Sequence, residues 1–114
     1  MKKISIIIPF YNEKSVLNQF TDNLITELKK LKNKYLFEVI LLDNNSDDGS
    51  SLDAINIAKN NNFIYKCQNR NFGYQANILT GYDICTGDAA IQINADGEDN
   101  PNLIYKFLDK WEEG

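Results

Sequence analysis

Histidine is absent from this sequence, and several kinds of chemistry go with it. Ser-His-Asp triads, histidine-ligated zinc and histidine general bases all need an imidazole. Any catalysis must use carboxylates, amides, hydroxyls, lysine or the single arginine, Arg70. Cysteine is scarce: Cys67 and Cys85 form no CxxC pair. They read as two small buried apolar residues in a reducing compartment, not as a metal or redox site. No apolar run approaches the ~20 residues that cross a bilayer, and no signal peptide precedes the first apolar run. The chain is therefore expected to be soluble and cytoplasmic. Basic charge is short too, with 12 Lys and Arg against 16 Asp and Glu and a net charge of −4. That balance argues against nucleic acid as a partner, since phosphate backbones demand basic surfaces. The lysines between Lys29 and Lys34 read as the solvated end of a helix, favoured by the helix dipole, with a lipid-surface contact as the alternative. Two nucleotide patterns are also missing. Without GxGxxG after the first strand, and without GxxxxGK[ST], neither a dinucleotide dehydrogenase nor a P-loop NTPase is expected.

What is present suits one compact domain: 114 residues, 43% hydrophobic, 25% charged and 11% aromatic. Ile4 to Pro9 is a short β-branched run, as expected of a strand buried on both faces. From about Lys14 to Lys32, Val16, Leu17, Phe20, Leu24, Leu28 and Leu31 recur at helical spacing. Phe37 to Leu42 predicts a second buried strand, followed by a turn-forming stretch from Asp43 to Ser50. A helix near Ser51 to Lys59 is expected to turn Leu52, Ile55 and Ala58 to one face. Phe63 to Cys67 predicts a third strand. Tyr74 to Cys85 predicts a helix with Ala76, Leu79 and Tyr82 inward, against the grain of Gly81. Ala89 to Ile93 predicts a fourth strand, and Asn100-Pro101 an N-cap and first-turn proline for a last helix through Trp111. Its apolar stripe would be Leu103, Ile104, Phe107, Leu108 and Trp111.

Four βα units in succession predict an α/β, Rossmann-like, mainly parallel sheet with right-handed crossovers and helices on both faces. In such sheets ligands gather at the carboxyl ends of the strands. Those ends carry Tyr11-Asn12-Glu13, Asp43-Asn44-Asn45 and Asn94-Ala95-Asp96, so the three polar clusters are expected to share one edge.

Asp96, Glu98 and Asp99 crowd one loop of an acidic chain. Oxygen ligands this dense suit a hard cation such as Mg²⁺ or Mn²⁺, which would cancel repulsion between the chain and a diphosphate. They equally suit a loop whose carboxylates favour the start of the next helix; residue types alone do not decide. Asp43 ends a buried strand and is either a turn-former bonded to amides of its own loop or an acceptor for a base N–H or ribose hydroxyl. Arg70 offers a planar fork suited to phosphate, and Gly73 would let the backbone approach one. The alternative is a surface arginine beside a helix-start glycine.

Taken in order, Ile-Ile-Ile-Pro-Phe-Tyr-Asn-Glu (6–13), Leu-Leu-Asp-Asn-Asn-Ser-Asp-Asp-Gly-Ser (41–50), Asn-Arg-Asn-Phe-Gly-Tyr-Gln (69–75) and Thr-Gly-Asp-Ala-Ala-Ile-Gln-Ile-Asn-Ala-Asp (86–96) resemble the GT-A, family 2 glycosyltransferases. The Arg-Asn-Phe-Gly and Thr-Gly-Asp-Ala segments are most similar to the branch of dolichol-phosphate mannosyltransferase and bacterial polyprenyl-phosphate glycosyltransferases. The resemblance spans essentially the whole chain and implies that residues 1–114 form the part that binds a nucleotide-diphosphate sugar, of UDP or GDP type. It places base and ribose at Pro9, Tyr11, Glu13 and Asp43, with Asn44 adjacent, and Arg70 near the diphosphate. Gln75, Asn94, Ala95 and Asp96 complete the implied sugar-nucleotide site. Asn94 stands where the family's Asp-x-Asp motif begins, which leaves Asp96 and Glu98 as the implied ligands of Mg²⁺ or Mn²⁺. The resemblance further implies an inverting hexosyl transfer to a polyprenyl phosphate or glycan acceptor, at the cytoplasmic face of a membrane and in polysaccharide or cell-envelope synthesis. The acceptor site and the carboxylate base are expected beyond residue 114, so the chain alone is expected to bind donor without turning it over. Its truncated sheet would expose an edge and an apolar face open to self-association. Asn94 also admits a non-catalytic nucleotide-sugar-binding or regulatory module. A receiver-like domain phosphorylated at Asp43 would need an acidic pair where this chain has Pro-Phe-Tyr-Asn-Glu.

Overall fold

The first apolar run becomes β1 (Lys2–Phe10), an inner strand of a fully parallel sheet, in the computed structural model, which describes residues 1–70, 74–95 and 103–113. Around it the chain builds α1 (Leu17–Leu31), β2 (Tyr35–Asp43), α2 (Ser50–Asn61), β3 (Ile64–Cys67), α3 (Tyr74–Ile84), β4 (Ala89–Gln92) and α4 (Leu103–Glu113). Strand order is β3-β2-β1-β4, and every pairing is parallel. Sheet growth reverses after β3, so the strand order switches between β1 and β4. That switch is where a crevice opens in doubly wound sheets.

Burial on both faces explains why the strands read as continuous apolar runs. Ile4, Ile6 and Ile8 of β1 join Val39 and Leu41 of β2 in the larger core, which Leu17, Phe20, Leu24, Leu28 and Leu31 of α1 close from one side. Ala54 and Ala58 of α2 and Ile104 and Leu108 of α4 complete that layer. On the opposite face Ile7, Ile40 and Leu42 are wholly buried and α3 lies over them. Each fully buried aliphatic side chain contributes roughly 1.5–3 kcal/mol relative to exposure.

The structure corrects several expectations. In α2, Leu52 and Ile55 are exposed, while Ser50, Ala54 and Ala58 are buried. Small residues let this helix lie close to the sheet, and the large ones turn out. In α3, Leu79 and Tyr82 are exposed and Gly81 faces inward. A Cβ at Gly81 would stand 2.6 Å from Ile7 Cγ2 and 2.7 Å from Leu42 Cδ1, so the glycine sets how near α3 sits. Third, Cys67 is exposed and Cys85 only partly buried, and both thiols are free. Helix α1 also begins at Leu17 rather than Lys14, because the Glu13 carbonyl accepts from the Val16 and Leu17 amides before the helix proper. The Asn100-Pro101 helix start lies outside the described residues. Phe107 is partly exposed, whereas Ile104 and Leu108 are buried as the spacing predicts.

At the amino end of the sheet, Glu38 fixes the segment entering β4. It accepts from Ser5 Oγ at 2.6 Å, from the Thr86 amide at 2.9 Å and from Thr86 Oγ1 at 3.1 Å. Lys29 and Lys30 lie in the last turn of α1, as the dipole favours. Among the described residues no helix is long and apolar enough to cross a membrane.

Candidate functional site

β1 pairs with β4 as far as Ile7, opposite Gln92. The Ile7 carbonyl accepts from the Ile93 amide at 3.0 Å, so the odd residues of β1 point their backbone toward β4. Two residues on, Pro9 has no N–H to continue that ladder. The strands end their pairing before it, at the switch in strand order.

The loops that leave β1 and β2 are bound to each other at this edge. Asn12 and Asn45 both adopt left-handed backbone, with φ of 53° and 64°. Asparagine tolerates that region better than other non-glycine residues. The Asn12 amide donates to Ser46 Oγ at 2.9 Å. Asn12 and Asp47 then bond reciprocally: Nδ2 donates to Asp47 Oδ1 at 2.9 Å, and Asn12 Oδ1 accepts from the Asp47 amide at 2.8 Å. Asp48 accepts from the Lys14 amide at 3.1 Å and from Ser50, whose hydroxyl bond holds the Asp48 carboxyl below its ordinary range despite partial desolvation. Gly49, at φ 95°, turns the chain into α2 beside the Lys14 side chain, and Lys14 Nζ reaches Asp53 at 3.0 Å. Tyr11 is left 42% exposed on this edge.

Asp43 sits beneath these loops and is wholly buried. Its Oδ1 accepts from the Ser46 amide at 2.8 Å; its Oδ2 accepts from Tyr65 Oη at 2.7 Å and from the Ser51 hydroxyl. The bond to Ser46 is the one expected of a turn-forming aspartate. Burial pushes the Tyr65 phenol up, and the bond to Asp43 adds to it, so the phenol stays protonated. Tyr65 and Ser51 were not legible as partners of Asp43, since they lie 22 and eight residues away in sequence. Alternation along β3 is the one signal that could have placed Tyr65 on the same face.

Other expected residues fall on the same edge. The Asn44 amide donates to the Phe10 carbonyl at 3.0 Å, and Asn44 is buried. Glu13 is half-buried at the start of the β1–α1 turn. The Gln68 amide donates to the Asp43 carbonyl at 2.9 Å and its side chain to Thr80 of α3 at 2.7 Å, which holds the residues just after β3, as far as exposed Arg70, at this end of the sheet. Asn94 is half-buried and its Oδ1 accepts from Gln92 Nε2 at 3.0 Å; Ala95 is buried in the main core. The three polar clusters thus share the carboxyl edge as far as Ala95. Asp96 and Glu98, the expected cation ligands, lie outside the described residues, as does the side chain of Gln75. Among the described residues, no group of three or more His, Cys, Asp and Glu could hold a metal ion.

Comparison with known proteins follows the same lines. Residues 5–114 match the model of Glycosyl transferase family 2. An uncharacterized glycosyltransferase of Synechocystis sp. is 38% identical over 114 residues, covering 98% of this chain and 35% of the relative. The undecaprenyl-phosphate 4-deoxy-4-formamido-L-arabinose transferase of Proteus mirabilis is 35% identical over 117 residues, covering 100% of this chain and 35% of that protein. The chain thus spans about a third of the length of these curated relatives. Among solved structures, a mannosyltransferase from Pyrobaculum calidifontis in complex with GDP-Man and Mn²⁺ superposes with a TM-score of 0.71 at 24% identity, over 82% of this chain and 27% of that one.

Proposed function

The chain belongs to glycosyl transferase family 2, and from that premise we propose that it is the donor-binding part of an enzyme moving a hexose from a UDP- or GDP-sugar to a polyprenyl phosphate or glycan hydroxyl. One observation carries this reading: the loops after β1 and β2, the residues from Gln68 to Arg70 after β3 and the end of β4 converge on one edge, at the switch in strand order. In this reading base and ribose lie against the segments that hold Pro9, Tyr11, Glu13, Asp43 and Asn44. Arg70 and Gln75 approach the diphosphate from the β3–α3 side, and Asn94, Ala95 and Asp96 border the sugar. Asp96 and Glu98 hold a divalent cation, Mg²⁺ or Mn²⁺, which when bound neutralises the diphosphate of an otherwise like-charged pair. The Mn²⁺ bound by the Pyrobaculum structure supports a divalent cation in this fold. Transfer proceeds by direct displacement with inversion, the acceptor and the carboxylate base coming from the length of its relatives that this chain does not span. In this reading the transfer takes place at the cytoplasmic face of a membrane, where a polyprenyl-phosphate acceptor would be anchored.

Asn94 favours one competing reading, a nucleotide-sugar-binding module without turnover, because it removes one carboxylate from the cation loop. Both readings share the donor site, and the same experiment tests it. Asp96→Ala and Glu98→Ala should each abolish the Mn²⁺-dependent part of UDP or GDP binding in calorimetric titrations. Undiminished binding in both variants would refute the ligand assignment.

A further inference from the structure

Asp43 has no surface that a ligand could reach. It is wholly buried, and three of the roughly four acceptor positions of its carboxylate are taken by donors of its own chain: Ser46 N–H, Ser51 O–H and Tyr65 O–H. Those donors come from three places in the fold, the β2–α2 loop, the first turn of α2 and β3. The backbone of Asp43 is tied as well, its carbonyl accepting from Gln68 at 2.9 Å.

From here the hydrogen bonds run outward. Ser46 donates its amide to Asp43 and accepts the Asn12 amide on its hydroxyl at 2.9 Å. Asn12, held in left-handed backbone, is clamped a second time by Asp47. Its neighbour Tyr11 is an exposed aromatic on this edge. We propose that Asp43, Ser51 and Tyr65 form a buried lock that shapes the nucleotide site through Ser46 and Asn12, and that the Asp43 carboxylate does not itself touch the nucleotide. The inference rests on the donor-site reading above and deepens it. Ser51 and Tyr65 become positioning residues, and recognition falls on what the lock presents, Tyr11 first. Direct contact would require a base N–H to enter beneath the loop that seals Asp43, which costs the Ser46 bond and the Asn12 clamp built on it.

The test uses the whole chain with Mn²⁺ and whichever of UDP or GDP it binds, each paired with its base-methylated analogue, N3-methyl-UDP or N1-methyl-GDP. Titrations are run well below the melting temperature of every variant. Tyr65→Phe should weaken binding by about threefold to tenfold, the worth of one hydrogen bond in the lock. The methylated analogue should weaken by the same factor, because the lock does not read the base N–H. Ser51→Ala makes the same comparison should Tyr65→Phe fail to fold. Asn12→Ala combined with either should add little, since both act along one line of bonds. A lower melting temperature with unchanged affinity would make the lock merely structural and overturn the proposal. A loss confined to the unmethylated nucleotide would overturn it in the other direction, in favour of direct contact by Asp43. If the parent binds neither nucleotide, the donor-site reading falls and takes this inference with it; if the parent binds and the variants match it, only this inference falls.

Discussion

At Glu38 two effects oppose each other. Burial pushes its carboxyl up, but the hydrogen bonds from Ser5 and Thr86, with Lys3 at 3.9 Å, pull harder and leave it below its ordinary range. A carboxyl that titrates lower when folded contributes stability above its unfolded pKa, and that contribution disappears as pH falls through the ordinary carboxylate range, about 4, toward the folded value. Glu38→Gln should therefore be less stable than the parent at neutral pH, and the gap in urea midpoint should close as pH drops below the ordinary carboxylate range. A gap that stays constant across that range would show that the charge of Glu38 plays no part. Reading such partners from sequence is hard for a plain reason. The donors to Glu38 lie 33 and 48 residues away, and those to Asp43 from α2 and β3 also come from other elements. What sequence shows is that a carboxylate ending a buried strand needs partners. Which side chains supply them is decided by packing. At Asp43 the local half of the answer, the amide of Ser46, was readable as turn chemistry, and the tertiary half was not.

Among the elements, strands were more legible than helix faces. A strand buried on both sides declares itself as an unbroken apolar run, and β1 and β2 extend only a residue or two beyond the runs that announce them. Helix α1 declares itself equally well, because one stripe of large residues packs on the sheet. For α2 and α3 the assumption that large residues point inward fails. Both lie close to the sheet on small residues, Ala54 and Ala58 in one and Gly81 in the other. Gly81→Ala tests this. On an open helix the change would gain about 1 kcal/mol from propensity. Here the new methyl group would fall 2.6 and 2.7 Å from two wholly buried side chains that have little room to move. Overpacking of that kind costs about 1–3 kcal/mol and should outweigh the gain. Denaturant unfolding should show a net loss of stability; a net gain would mean that α3 shifts outward without resistance.

For the molecule as a whole, four βα units and the rule that parallel crossovers are right-handed were enough to predict the doubly wound sheet and to put its polar loops on one edge. The structure adds the order β3-β2-β1-β4, and with it the switch in strand order between β1 and β4, where doubly wound sheets take their ligands. It adds the bonding between the first two loops, which converts separate polar clusters into one surface. That surface should bind a nucleotide diphosphate together with a cation, and a thermal-shift panel of UDP, GDP and CDP with and without Mn²⁺ shows whether it does. At a ligand concentration about ten times the dissociation constant, binding should stabilise the fold by roughly 1.4 kcal/mol and raise the melting temperature by about 5 °C. Such a rise is expected with UDP or GDP, only when Mn²⁺ is present. No rise with any nucleotide, with or without the metal, would contradict it.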